Sequence, residues 1–193
     1  MSLRQAQQTN PDGDIVDHLI TIFAERGGEH YGEGVSQTEH ALQSAIHVDQ
    51  QNCSDALVCA ALLHDVGHLL HEEDIYHAEQ GIDAIHQDVG ANLLEEYFGP
   101  EVSEPVRMHV DAKRYLCAVE PEYFDLLSEA SVLSLKLQGG VMGEDEVKDF
   151  ESSPHLEAAL LLRRADEAAK VPGLKTPGFE TFADRLRGLL KRA

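Results

Sequence analysis

The chain has few basic residues for its size, and this shortage excludes several classes of partner. Lysine and arginine together number 15 against 35 aspartates and glutamates, which gives a formal net charge of −20. Such an acidic chain argues against nucleic acid or an anionic membrane as a partner, because both are bound by basic surfaces. A small anionic ligand stays open, because a few local cations are enough to hold one.

Cysteines and long apolar segments are also scarce. The three cysteines, Cys53, Cys59 and Cys117, show no metal-binding or redox spacing, so we expect buried apolar side chains in a reducing compartment. No apolar run approaches the ~20 residues that a membrane-spanning helix needs. The N-terminal segment is polar and does not resemble a secretory signal. We therefore expect a cytoplasmic protein.

What the sequence does contain is a succession of helical patterns. Apolar residues recur three and four positions apart between glycines and prolines, and no segment alternates as a β-strand does. The pattern predicts an all-α fold, with a single-domain helical bundle over residues 15–193 and an N-terminal arm over residues 1–14. Gly67 is predicted to end the helix that leads to His64, and His86 is predicted to precede a helix that begins near Val89.

The stretch LLHDVGH at residues 62–68 is the motif around which we expect the rest of the chain to be organised. It places His64 beside Asp65, and imidazole with carboxylate is a ligand pair for iron, manganese and zinc. Further candidate ligands occur one or two to a predicted helix, and they are His40, His86, His109 and Asp166. A helical bundle builds a metal centre from inward-facing side chains in this way.

The order of these residues resembles the metal-binding signature of the HD-domain superfamily. His40, then His64-Asp65, then Asp166 match its basic form, and His86 and His109 match its two-metal members. The flanking residues resemble one branch more narrowly, the mixed-valent di-iron oxygenases that cleave the carbon–phosphorus bond of 1-hydroxyphosphonates. Those flanking residues are Glu33, HVDAK at 109–113, SVLSLKLQGG at 131–140 and RRAD at 163–166. The resemblance covers about residues 31–170.

This resemblance implies two iron ions, one Fe(II) and one Fe(III), with dioxygen as a co-substrate. One ion would be held by His40, His64, Asp65 and Asp166, and the other by Asp65, His86 and His109. Asp65 would be the bridge, because a carboxylate has two oxygens whereas an imidazole offers one nitrogen to each metal.

The resemblance also implies which residues meet the substrate. The phosphonate contacts would be His68, Lys113, Ser131, Ser134 and Arg163, with His68 serving in catalysis as well. The spacing agrees, because Lys113 follows His109 by four residues and Arg163 precedes Asp166 by three. Each cation therefore shares a helical face with a predicted metal ligand.

Tyr31 and Glu33 would complete the catalytic set as a lid that occupies the open iron position until substrate arrives. Only Gly32 separates them, whereas two residues separate the tyrosine and glutamate of the enzyme that takes the amino substrate. The shorter spacing points towards the branch with a trimethylammonio substrate. The implied substrate is a small 1-hydroxyphosphonate with a 2-trimethylammonio or 2-amino group, and the implied products are phosphate and glycine betaine or glycine.

Other interpretations of the same residues stay open. A metal-dependent phosphohydrolase of the same superfamily would use the same ligands, and a non-catalytic sensor would keep a degenerate site. Asp166 taken alone is also compatible with a surface ion pair to Lys170, four residues further on. The sequence decides neither the oligomeric state nor the methylation state of the substrate amine.

Overall fold

The computed structural model describes residues 13–30, 34–70 and 86–191. All regular secondary structure in these ranges is helical, which confirms the predicted all-α fold. The described helices are α1 Ile15–Arg26, α2 Gln37–Asp49, α3 Asp55–Leu63, α4 Val66–Leu70, α5 His86–Tyr97, α6 Pro100–Val119, α7 Pro121–Phe124, α8 Glu129–Leu137, α9 Glu144–Glu151, α10 Leu156–Ala168 and α11 Ala183–Gly188, with a 3-10 helix at Phe179–Phe182 before α11. Within these ranges, no helix combines the length and apolar character needed to cross a membrane.

Helix α3 lies at the centre of the bundle. Every residue from Leu57 to Leu63 is buried, as expected for a helix that is apolar on all sides. Helices α2, α6 and α10 all pack against it. Because α3 ends at Leu63, the two residues that follow it, His64 and Asp65, are placed where these three helices meet.

Two apolar clusters hold the bundle together, and α6 and α10 contribute to both. The larger cluster includes Val106 of α6 and Leu162 of α10. The smaller one, beneath α7–α9, includes Ala112 of α6 and Ala159 of α10. His109 therefore lies in α6 between Val106 of the larger cluster and Ala112 of the smaller one, and it is buried for that reason.

Gly67 does not end a helix, so that part of the sequence prediction is wrong. It lies inside α4, and a Cβ on it would come 2.0 Å from the carbonyl oxygen of His86. Gly90 of α5 faces it, and its own added Cβ would lie 3.2 Å from the Gly67 nitrogen. The two glycines let α4 and α5 approach closely, and His86 begins α5 instead of preceding it.

We expect Gly67→Ala to lower the free energy of unfolding by about 1–3 kcal/mol, because its methyl group would push against the backbone of His86. Gly188→Ala is the matched control, since an added Cβ there meets no atom within 4 Å. Urea unfolding followed by circular dichroism measures both. A Gly67→Ala protein as stable as the control would contradict the close approach of α4 and α5.

Candidate metal centre and substrate site

His40 of α2 and His64, which follows α3, face each other in the interior. Nδ1 of His40 lies 3.0 Å from the carbonyl oxygen of Ala169, and Nδ1 of His64 lies 2.8 Å from that of Ala61. A carbonyl oxygen only accepts, so Nδ1 carries the proton in both rings and a neutral ring has its lone pair on Nε2. The two Nε2 atoms are 3.2 Å apart, a separation that favours a cation close to both.

His86 and His109 form a second pair of the same kind. Nδ1 of His109 donates to the carbonyl oxygen of Val106 over 2.7 Å, which leaves the Nε2 lone pair of a neutral ring pointing away from α6. That Nε2 atom is 3.3 Å from Nε2 of His86. Close packing of α4 on α5 at Gly67 sets the position of His86, so the second pair depends on that contact.

The carboxylate of Asp65 lies between the two pairs. Its Oδ2 atom is 3.5 Å from Nε2 of His64 and 3.7 Å from Nε2 of His40. Its Oδ1 atom is 3.5 Å from Nε2 of His86 and 3.6 Å from Nε2 of His109. One oxygen thus faces each histidine pair, which is the arrangement needed for a carboxylate that bridges two metal ions.

Asp166 of α10 adds a second carboxylate on the side of the first pair. Its Oδ1 atom lies 3.2 Å from Nε2 of His40 and 4.0 Å from Nε2 of His64. Asp166 is only 5% exposed, so the interpretation of this residue as a surface partner of Lys170 is wrong. With Asp166 in this place, all six predicted ligands surround two neighbouring positions where a cation could bind.

The spacing of these six side chains fits two bound cations. Ligand atoms about 2.1 Å from a shared ion lie roughly 3–3.5 Å apart at ordinary bond angles, and the separations around each pair are close to this range. Burial would raise the pKa of Asp65, but the neighbouring imidazoles, His64 first, lower it well below its usual range. Burial opposes ionisation of Asp166 too, yet the Arg163 guanidinium keeps its pKa well below the ordinary value.

Protons compete with a metal ion at the first pair. Burial would lower the pKa of His40, but the hydrogen bond and charge of Asp166 outweigh it and the pKa is raised. With this raised pKa, His40 binds a second proton more readily. A metal ion must displace this proton, so the affinity of the first pair for metal should fall at acidic pH.

His68 lies beside the second pair. Its ring stacks on that of His86 with the centroids 3.9 Å apart and the planes at 19°. Burial and then the charge of His86 lower the pKa of His68 to about 3, so its imidazole is neutral at neutral pH. Single ligand atoms of Asp65, His68 and His86 lie within 4.8 Å of one another. The position suits either a contact to bound substrate or a further ligand.

Lys113 is a buried cation one turn after His109 on α6. It is 3% exposed, and its Nζ donates to Oγ of Ser134 over 2.7 Å. Ser134 donates in turn to the carbonyl oxygen of Ser131 over 3.1 Å. Burial, followed by the charge of Arg163, lowers the pKa of Lys113 to about 8. A buried ammonium bonded to a neutral hydroxyl is well placed to receive an anion.

Arg163 makes hydrogen bonds on all sides of its guanidinium group. Its Nη1 donates to Oδ2 of Asp166, the oxygen that does not face the histidines. Its Nε donates to the hydroxyl of Tyr123 over 2.9 Å, and its Nη2 donates to Glu167 and, over 3.3 Å, to Oγ of Ser131. Arg163 therefore orients a predicted metal ligand and also reaches Ser131, one of the predicted phosphonate contacts.

Three residues of this cluster were not predicted from the sequence: Tyr123, Glu167 and Lys170. Glu167 accepts from the backbone N–H of Ser128 over 2.9 Å, from Oγ of Ser131 over 3.0 Å and from Nζ of Lys170 over 3.1 Å. The signal that was available is the spacing, because Glu167 follows Arg163 by four residues and lies on the same helical face.

The two predicted lid residues, Tyr31 and Glu33, lie outside the described residues. The other predicted site residues are all described. The structure brings His40, His64, Asp65, His86, His109 and Asp166 together in one group, with His68 beside it. Lys113, Ser131, Ser134 and Arg163 form a second group that joins the first at Asp166.

Comparison with known proteins agrees with this arrangement. The model of the HD domain matches residues 38–167, a range that contains all six predicted ligands. The chain belongs to the HD-domain family. It is 42% identical over 181 residues to a [1-hydroxy-2-(trimethylamino)ethyl]phosphonate dioxygenase (glycine-betaine-forming) of Leisingera caerulea, covering 93% of this chain and 92% of that protein. It is also 42% identical over 185 residues to a hydroxymethylphosphonate dioxygenase of Gimesia maris, covering 94% and 90%.

The HD domain of this chain thus contains the nitrogen and oxygen ligand atoms that metal binding requires. Imidazole nitrogens and carboxylate oxygens are the ligands that proteins use for iron, manganese and zinc, and here they are buried, ionised or held in one tautomer. Family membership and the donor set together make this chain a metal-dependent enzyme.

We expect Asp65→Ala to lose both metal ions, because Asp65 faces both histidine pairs, and His86→Ala to lose only the ion at its own pair. Metal analysis of the purified proteins gives the number of ions per chain. Glu157→Ala is the control, since Glu157 is an exposed residue of α10. Two ions per chain in Asp65→Ala would mean that Asp65 is not the bridge.

Proposed function

We propose that this HD-domain protein is a non-haem di-iron dioxygenase that cleaves the carbon–phosphorus bond of a small 1-hydroxyphosphonate. One molecule of substrate and one of dioxygen give one carboxylate and one inorganic phosphate, which balances all atoms. The observation that carries the two-metal part of the proposal is the carboxylate of Asp65, with one oxygen facing each of two buried histidine pairs. A 2-trimethylammonio or 2-amino group on the substrate makes the carboxylate glycine betaine or glycine.

The relatives favour this reaction over the phosphohydrolase alternative. The two named relatives above are both phosphonate dioxygenases, and each aligns with more than nine tenths of this chain. A hydrolase and an oxygenase of this family would share their metal ligands, so the ligands alone do not separate them. The similarity to two oxygenases over more than nine tenths of this chain is the evidence that separates them.

The metal ligands divide unequally between the two ions. When bound, an Fe(II)/Fe(III) pair would supply the activation of dioxygen. His40, His64 and Asp166 with one oxygen of Asp65 make a set of four ligands, whereas His86 and His109 with the other oxygen make a set of three. The three-ligand side leaves more room for the substrate's hydroxyl and phosphonate oxygens.

The chain's own residues hold and orient the substrate. Lys113 and Ser134 would meet the phosphonate directly, because Lys113 is a buried ammonium hydrogen-bonded to a hydroxyl. Arg163 and Ser131 would complete the binding set while Arg163 keeps Asp166 in place. His68, neutral at neutral pH, would contact the substrate from the side of His86. Tyr31 and Glu33 remain the proposed lid that covers the open position.

The acidic character of the whole chain suits a substrate with a cationic end. The trimethylammonio compound is the first substrate to test, because of the similarity to the glycine-betaine-forming enzyme and the short spacing of Tyr31 and Glu33. We propose that the protein acts in the cytoplasm on a small organophosphonate, with no nucleic acid and no membrane as a partner.

Phosphate release is expected to need dioxygen. The iron-loaded protein, supplied with the trimethylammonio, amino or unsubstituted 1-hydroxyphosphonate, should release phosphate under air and stop when oxygen is removed. An oxygen electrode and a phosphate assay should show one dioxygen consumed for each phosphate formed. Equal phosphate release without oxygen would favour the hydrolase and overturn the proposal.

The KM for the phosphonate should rise as the pH increases through about 8, because the pKa of Lys113 is lowered to about 8 and only its protonated form attracts the anion. Lys113→Arg should remove this rise, since a guanidinium stays protonated. Lys113→Met should raise the KM by about 10- to 100-fold at pH 7, the loss expected for a hydrogen bond between charged groups.

Steady-state kinetics at several pH values test this, with Lys136→Met as the control because Lys136 is an exposed lysine of α8. Iron content should be unchanged in all three variants. If Lys113→Met keeps the wild-type KM, Lys113 is not a phosphonate contact.

A further inference from the structure

Gln43 makes a contact that neither the ligand set nor the substrate set explains. It lies on α2 one turn after His40, and only 1% of its surface is exposed. Its Nε2 donates to the carbonyl oxygen of Val171 over 2.9 Å, and its Oε1 accepts from the backbone N–H of the same residue over 3.0 Å. One side chain therefore pairs both polar groups of a single residue outside any helix.

The segment that Gln43 holds is also the segment that orients His40. Residues 169–171 follow directly after α10, and the carbonyl oxygen of Ala169 accepts the Nδ1 proton of His40 over 3.0 Å. The backbone N–H of Ala169 in turn donates to the carbonyl oxygen of Asp166 over 3.2 Å. The position of Ala169 is thus linked to two predicted ligands of the same ion.

Stability alone is a weak reason for this contact. Val171 is 49% exposed, so water can reach the segment and replace part of what Gln43 supplies. What water cannot supply is a fixed position for Ala169, two residues earlier. Without that fixed carbonyl the ring of His40 can rotate or carry its proton on Nε2, where the metal must bind.

We propose that Gln43 is a positioning residue of the metal centre, acting on His40 through residues 169–171. The inference rests on the proposed function, because orienting His40 matters for the reaction only if His40 binds the metal. Gln43 holds the segment, the segment holds the Nδ1 proton, and Nε2 is thereby kept as the ligand atom.

The test uses Gln43→Met, which keeps the length and packing of the side chain and removes both hydrogen bonds. Ser44→Ala is the matched control, because Ser44 is the next residue, is fully buried, and its Oγ bonds to no described residue. Long-range proton–nitrogen NMR of the metal-free proteins, recorded at a pH above the raised pKa of His40 so that its ring is neutral, reports which ring nitrogen of His40 carries the proton. Zinc, a diamagnetic probe, is then titrated while the signals of His40 and His86 are followed separately.

In the wild type and the control, His40 should show a proton on Nδ1. In Gln43→Met this preference should be lost, and zinc affinity read at His40 should fall by about 10- to 100-fold, the usual effect of removing an outer hydrogen bond to a metal ligand. Affinity read at His86 should change less than twofold. Gln43→Glu is the second variant if Gln43→Met does not fold. Its carboxylate oxygen would face the Val171 carbonyl oxygen, so the preference for a proton on Nδ1 of His40 and the zinc affinity at His40 should both fall, as in Gln43→Met.

An unchanged His40 proton, or unchanged zinc affinity at His40, would overturn the inference even if the melting temperature fell. If wild-type protein bound no zinc at His40, the proposed metal site would fail. The proton position in the metal-free proteins would still decide whether Gln43 controls His40, so the two failures are distinguishable.

Discussion

Within each of two histidine pairs, the Nε2 atoms face each other in the interior, and backbone carbonyls accept the Nδ1 protons of His40, His64 and His109 on the far side of those rings. Each pair is separated by 3.2 or 3.3 Å, and the Asp65 carboxylate lies between them. Such an arrangement lowers the free energy of unfolding unless cations bind the nitrogen lone pairs and neutralise the carboxylates. The packing of α2, α3, α5, α6 and α10 around this point is therefore suited to the proposed dinuclear metal centre.

The second constraint is the distribution of positive charge. The chain has 15 basic residues in all, yet Lys113, Arg163 and Lys170 are grouped beside the metal centre. Arg163 and Lys170 are bonded to carboxylates of Asp166 and Glu167, which offsets their mutual repulsion. Burial, followed by the charge of Arg163, lowers the pKa of Lys113. Among the described residues its ammonium donates to a hydroxyl and is paired with no carboxylate, so a counter-charge is missing. A phosphonate would supply that charge, so the resting site is arranged to favour an anion at Lys113.

Much of this site was predictable because the chemistry is carried by residue types at helical spacing. His109 with Lys113, and Arg163 with Asp166, share helical faces whatever the rest of the fold does. Gly67 was misinterpreted for the opposite reason. Its role is to admit the backbone of His86 from a different helix, and a local pattern contains no information about that approach. Glu167 had a suitable spacing but no reason to be chosen over the many other acidic residues of the chain.

Gln43 shows which kind of contact could not be predicted from the sequence. A glutamine on the buried face of a helix looks like an ordinary polar residue until the segment after α10 is placed beside it, 128 residues further along the chain. The sequence by itself determined the helical class, the candidate ligand set and the family, because these depend on side-chain chemistry and on a period of 3.6 residues. Only the tertiary structure decided which oxygen of Asp65 faces which histidine pair, which ring nitrogen of His40, His64 and His109 meets a backbone carbonyl, and which carboxylates pair with Arg163. Those features depend on distances of a few ångströms between helices remote in sequence, and such distances are set by packing.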